Sequence, residues 1–395
     1  MNKKAIAILG AIFILIVGTL GFLIYSKYAG SKTPAASSVT NNTASTTPAI
    51  TQNTASSTPT GQGSSSNIVQ LTSDQVVSPA LFFNGTGISY FDRQGNLYQA
   101  TLQNNNGQLS LTSKKQLDIP LKPDIAKILW PAKGNDFIAQ FTDSTGKNTW
   151  SYFNSNTGSY TNLPGQVESV DWMPTGDKIM YVWLDGGKAG LSLGNPDTSN
   201  HQTLGAMWET DDQLYVSPLG DQVLYFETQN SSANNFINSV TADGKLWKGL
   251  VKNGQNFGVL WSPDGQKFLF GKKDPVTQNY QLWAYNLTSG EIKNLGLFTT
   301  VNKSVWDKDS NVIYAAVPTS GTAVPEGINL AGSAGGSQLT SDSFYRMDTS
   351  TLDKKQYASS GASIDGRDLF LNATGDKLFF RNAQDGGLYY LDLTQ

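Results

Sequence analysis

The chain has 395 residues, 38% hydrophobic and 15% charged, with 28 Lys/Arg against 31 Asp/Glu. It contains no cysteine, which excludes disulfides, thiolate metal sites and cysteine nucleophiles. Residues 1–73 hold four lysines and no acid, leaving 24 basic against 31 acidic residues, a net charge of −7 that argues against a broad nucleic-acid footprint.

In chain order, the first element is Ala5 to Ile24, twenty residues without a charge. As a helix this run spans about 30 Å, the thickness of a bilayer hydrocarbon core. It is longer than the apolar region of a cleaved signal, and Tyr25 to Ser31 offers no good small-x-small cleavage site. The reading for residues 1–30 is therefore a cytoplasmic tip and an uncleaved transmembrane signal anchor. Lys3 and Lys4 lie inside, Tyr25 and Tyr28 at the outer interface, and the rest of the chain outside the cytoplasm.

Residues 31–66 are almost entirely Ser, Thr, Ala, Asn, Pro, Gln and Gly, with no aromatic residue. Such a segment buries too little apolar surface to offset its ordering entropy, so a disordered linker is expected. Its root-mean-square reach would be roughly 30–36 Å. Asn84-Gly85-Thr86 and Asn286-Leu287-Thr288 fit the N-glycosylation pattern, and Asn41-Asn42-Thr43 resembles it.

From residue 67 onward one unit recurs. Its best copy is WSPDGQKFLF, Trp261 to Phe270: an aromatic, a tight turn and a β-favouring run. Pro263 pre-sets φ, Asp264 caps the turn, and Gly265 accepts a positive φ. Further copies start at Leu81, Trp130, Trp172, Val216, Trp306 and Leu371, at intervals of 49, 42, 44, 45, 45 and 65 residues. A β-rich period in the forties predicts an all-β, seven-bladed β-propeller of four-stranded blades over 67–395. Ile68–Leu71 precedes the first blade as an orphan strand, while the last copy ends one strand short. The N-terminal strand is thus expected to complete the seventh blade and close the ring. Trp130, Trp172, Trp261 and Trp306 are expected to pack between blades.

The aromatic-Ser-Pro-Asp-Gly turn, the apolar strand after it and third strands such as QLWAYNL (Gln281–Leu287) resemble TolB-type, WD-repeat-like propeller repeats. WSPDGQKFLF matches closely, the Trp172, Val216 and Leu371 copies match in part, and the Trp306 copy lacks Pro and Gly. The resemblance implies the fold. Relatives serve as interaction platforms in the bacterial envelope, as accessory domains of serine peptidases, and occasionally as enzymes, so function has to be argued from sites.

Gly190-Leu191-Ser192-Leu193-Gly194 fits the G-x-S-x-G pattern of serine hydrolases, with Asp197 and His201 nearby. That chemistry needs the serine on a strand-to-helix elbow, yet the motif falls in a third-strand slot with no helix after it, and it reads as a decoy. His201 is the only histidine, which removes most support for a metallohydrolase. Asp211-Asp212, Asp307-Lys308-Asp309 and Asp264 offer oxygens without Ca²⁺-loop spacing and read as turn caps. No catalytic, cofactor or metal residue is assigned.

The long interval before Leu371 places an insertion at Val317–Asp342, between the second and third strands of blade six. Its apolar centre, with Val324, Pro325, Glu326, Ile328 and Leu330, is the candidate binding loop. The reading is a membrane-tethered, extracytoplasmic, non-catalytic scaffold for an envelope protein or polymer, with no cofactor and no nucleic acid. The alternative is a glycan-active enzyme or lectin using propeller-face carboxylates and aromatics.

Overall fold

The structure is a computed structural model that describes residues 67–82, 85–142, 147–207, 212–227, 235–254, 258–273, 280–320, 339–359 and 364–394. Among these residues no helix is long and apolar enough to cross a membrane. Residues 1–66, with the apolar run and the linker, lie outside them.

Among the described residues, 28 strands form seven four-stranded antiparallel sheets. The blades span 77–116, 125–162, 167–206, 212–254, 259–297 and 304–359, and the seventh combines 366–392 with 68–72. The closing strand Ile68–Thr72 pairs with Leu388–Asp392, Ile68 opposite Leu391 and Val69 opposite Tyr390. Its far end reaches blade one, since Val69 and Leu71 pack on a core shared by Ile88 and Tyr90 of blade one and Phe379 and Leu388 of blade seven. The ring therefore has no unpaired end at this joint.

Strands inside a blade lack a simple in-out alternation because both faces are covered by neighbours. In Lys267–Lys273 the consecutive Phe268, Leu269 and Phe270 are all fully buried. Phe268 and Phe270 share a core with Leu224, Phe226 and Ile237 of blade four, whereas Leu269 packs with Ile313 and Ala315 of blade six. Each such side chain contributes about 1.5–3 kcal/mol.

The repeat turn forms as its residues dictate. Ser262 Oγ donates to Asp264 Oδ1 (2.6 Å), the Lys267 amide donates back to Ser262 Oγ (2.9 Å), and Gly265 has φ +66°. A Cβ on Gly265 would also come within 2.9 Å of Leu219 in the preceding blade's turn, so this glycine is needed for space as well as for φ. In the Trp306 copy Ser310 takes the positive φ (59°), and its hydroxyl accepts the Asp264 amide at 3.0 Å.

The tryptophans do more than pack. Each donates its indole N–H to a carbonyl in the inner strand of the preceding blade: Trp130 to Ser78 (2.9 Å), Trp172 to Leu129 (2.9 Å), Trp261 to Tyr215 (2.9 Å) and Trp306 to Leu260 (3.2 Å). Blade four has Val216 at that position, and its junction is stitched from the other side. Asp171 Oδ2 accepts the Val216 amide at 2.8 Å, and Ser169 Oγ accepts the Leu214 amide at 3.1 Å.

Burial pushes the Asp171 carboxyl up to about 6, against the opposing pull of the Val216 and Trp172 amides and of Lys127. A carboxyl raised in the folded state binds its proton more tightly there than in the unfolded chain, so stability falls as pH rises from about 4 to above 6. At about 1.4 kcal/mol per unit, the fall attributable to Asp171 is at most about 3 kcal/mol. Denaturant unfolding from pH 4 to 7.5 should show this slope in the wild type and lose it in Asp171→Asn. Parallel curves would show that Asp171 is solvated.

Candidate binding rim

Antiparallel four-stranded blades give the ring two distinct rims. Turns joining strands one to two and three to four lie on one, the turn rim. Links joining strands two to three, and each blade to the next, lie on the other, the crossover rim. The blade-six insertion joins Val312–Pro318 to Asp342–Asp348 and so belongs to the crossover rim. Val324, Pro325, Glu326, Ile328 and Leu330 lie outside the described residues. Its boundaries are tighter than the sequence implied. Val317 and Pro318 continue the strand, pairing with Ser343 and Asp342, and the Thr319 amide donates to Ser341 O at 2.8 Å to close the neck.

A buried charge network lies directly under that neck. Lys303, in the 3₁₀ turn Val301–Lys303 that links blades five and six, places Nζ 2.6 Å from Asp342 Oδ2 and 2.7 Å from Asp365 Oδ1. The same ammonium donates to Thr340 Oγ1 at 2.8 Å. Asp365, in the link between blades six and seven, receives Arg367 through both oxygens, Nε to Oδ1 at 3.0 Å and the terminal nitrogen to Oδ2 at 2.8 Å. The Gly366 amide donates to Asp342 Oδ2 at 2.8 Å, tying blade six to blade seven. Thr340 is held at three further points: its hydroxyl donates to Asp342 Oδ1, its amide to Asp365 Oδ2, and its carbonyl accepts Gln384 Nε2.

Both aspartates are fully buried, and the side chains of Lys303 and Arg367 are 5% and 6% exposed. The four formal charges cancel. Burial raises the Asp342 carboxyl above the usual range while Lys303 pulls it down. Burial lowers Arg367 to about 10, which leaves it charged at neutral pH. The network can position a loop; its carboxylates are committed to fixed donors and do not face solvent.

The other sequence candidates separate cleanly. Ser192 sits mid-strand in Lys188–Gly194, paired with Tyr181 on one side and Thr203 on the other, fully buried and not on an elbow. His201 Nδ1 is hydrogen-bonded to the Tyr181 hydroxyl at 2.6 Å, and Asp197 Oδ1 accepts the Ser199 amide and hydroxyl. The three do not form a relay. Asp307 Oδ1 accepts the Asn311 and Val312 amides as a turn cap, and Asp309 pairs with Lys308. Among the described residues no three His, Cys, Asp or Glu side chains are grouped to hold a metal ion.

With this geometry in place, solved structures give the comparison. An oligogalacturonate lyase from Vibrio parahaemolyticus is similar at TM-score 0.55 and 10% identity, covering 83% of this chain and 94% of its own. The Swd1 β-propeller domain of Myceliophteria thermophila is similar at TM-score 0.55 and 9% identity, covering 83% of this chain and all of its own. TolB from Acinetobacter baumannii aligns at TM-score 0.42 and 14% identity, over 80% of this chain and 79% of its own. The likeness is one of fold. No protein-family model matches the chain, and no curated protein matches it in sequence.

Proposed function

We propose that this chain is a non-catalytic binding propeller, anchored in a membrane through residues 5–24 with its ring outside the cytoplasm. The crossover rim at blades five to seven receives an envelope protein or polymer. The observation that carries this reading is the position of the Lys303–Asp342–Asp365–Arg367 network, which fixes the neck of the long insertion to three successive blades. A long loop on a rigid neck presents its own side chains without disturbing the ring. Val324, Ile328 and Leu330 supply the apolar contact with the partner.

The test replaces residues 321–338 with Gly-Asn and keeps 319–320 and 339–342. Thr340 belongs to the network, so a cut through it would confound loop loss with damage to the ring. Cross-linking in native membranes should recover the partner at least tenfold less from the shortened chain, equivalent to about 1.4 kcal/mol. Its melting temperature should stay within about 2 °C of wild type, because the replacement keeps every strand and network residue of blade six. Equal recovery from both proteins would remove the insertion from the binding face.

A further inference from the structure

We propose that the cleft between blades one and two is a binding site for a short, neutral oligosaccharide. The cleft has a volume of about 810 Å³, within the roughly 300–1,000 Å³ range of small-molecule sites. It runs from the turn rim, where Lys133 and Asn135 stand, along the blade interface toward Asp118.

The register explains why the space exists. Ala80, Ser89 and Gln99 lie opposite one another across three adjacent strands of blade one, so their side chains share a face. Phe91 and Leu97 share that face and belong to the core between blades one and two, which directs the row toward blade two. Small residues at Ala80 and Ser89 leave the gap, and Phe153 and Trp130 of blade two wall it from the other side. Trp130 is fixed by its N–H to Ser78 O at 2.9 Å, so its placement uses no group in the cleft.

Ser155, at the turn-rim end of the cleft, is committed to Asp136, but two other polar side chains of the lining are not engaged in this way. Ser89 is 3% exposed and Gln99 half-buried, and neither makes a side-chain hydrogen bond among the described residues. Both line the cleft, where the hydroxyl and the amide are free to pair with solvent or with the hydroxyls of a ligand. Asn135 adds a second amide at the mouth.

Hydroxyl and amide partners beside aromatic walls suit a ring with hydroxyls on its edge and C–H bonds on its face. Lys133 at one end is balanced by Asp118 at the other, so the cleft favours a ligand without net charge. A lining that extends from the turn of blade two to the link between the blades suits a linear one. This inference is independent of the crossover-rim reading, because no residue lining the cleft belongs to blades five to seven.

The test uses the full chain with cellotetraose, maltotetraose, mannotetraose and tetra-N-acetylchitotetraose, with trigalacturonate as the anionic comparator. Binding is followed by saturation-transfer NMR and calorimetry. At least one neutral tetrasaccharide should bind with Kd below about 1 mM, and trigalacturonate should not compete. Gln99→Leu and Asn135→Ala should each weaken binding tenfold or more. The 321–338 replacement should bind the sugar as wild type does. If Gln99→Leu fails to fold, Asn135→Ala on its exposed turn decides. No neutral binding at about 10 mM, preference for trigalacturonate, or unchanged affinity in Asn135→Ala would each overturn the proposal.

Discussion

Deleting residues 67–72 should cost the ring most or all of its stability. The missing strand leaves Leu388–Asp392 as a bare edge and uncovers the blade-one/blade-seven core that Val69 and Leu71 help to seal. Backbone bonds worth about 0.5–1.5 kcal/mol each, with three partly buried apolar side chains at about 1 kcal/mol each, sum to roughly 5 kcal/mol. That is comparable with the whole of a typical folding free energy, about 5–15 kcal/mol. Thermal melts followed by circular dichroism should lose their cooperative transition, and size-exclusion chromatography should show aggregates formed through the open edge. Removing residues 31–60 should move the melt by less than about 1 °C, since a linker of that composition contributes no packing. Equal effects of the two deletions would show that the closure does not hold the ring.

The second large effect is expected from Lys303→Met. Methionine fills most of the lysine's volume and leaves the two buried carboxylates of Asp342 and Asp365 with one cation, Arg367, which pairs with Asp365. Breaking a buried pair by removing one partner costs about 3–5 kcal/mol, because it leaves buried negative charge in excess of the buried positive charge. The loss should be read from urea unfolding at pH 8 and again at pH 5. Asp342 is already raised by burial, so its folded form binds a proton more readily than the unfolded chain does. Without Lys303 it rises further, and the variant should regain part of its deficit as the pH falls. Adding Asp342→Asn should recover stability at pH 8 for the same reason. A loss below about 1 kcal/mol would be the cost of a solvent-exposed pair and would remove the rigid neck from the binding reading.

The ring, its blade number and its closure were legible because they rest on repeated local chemistry. Trp261-Ser262-Pro263-Asp264-Gly265 states its turn outright, and six weaker copies share its spacing. The inter-blade role of the tryptophans was also legible, although their N–H bonds to the preceding blade were not. Those bonds depend on where a neighbour's carbonyls fall, about 45 residues away. One signal was there to be found. Asp171 is the only acid directly before a repeat's leading residue, and it precedes the Val216 blade, which lacks the indole.

The charge network gave no such sign. Lys303, Asp342 and Asp365 occur in VNKSVW, TSDSFY and SIDGRD, which read as ordinary polar links. Only the curvature of the ring brings two links and a strand start to one point. The cleft was hidden for a similar reason, because a gap between blades is a property of two faces and no single strand records it.

The closing strand also sets a schedule for biosynthesis. Thr72 pairs with Leu388, so the first strand made waits for a partner encoded more than three hundred residues later. At about 5–20 residues per second that delay is roughly 15–60 s. For all of it Ile68–Thr72 is an unsatisfied edge, and blade seven cannot form until the final strand appears. The chain is thus most exposed to mispairing just before Leu388–Asp392 is made. Loss of a few residues from the C-terminal strand would strand the first segment as surely as deleting it.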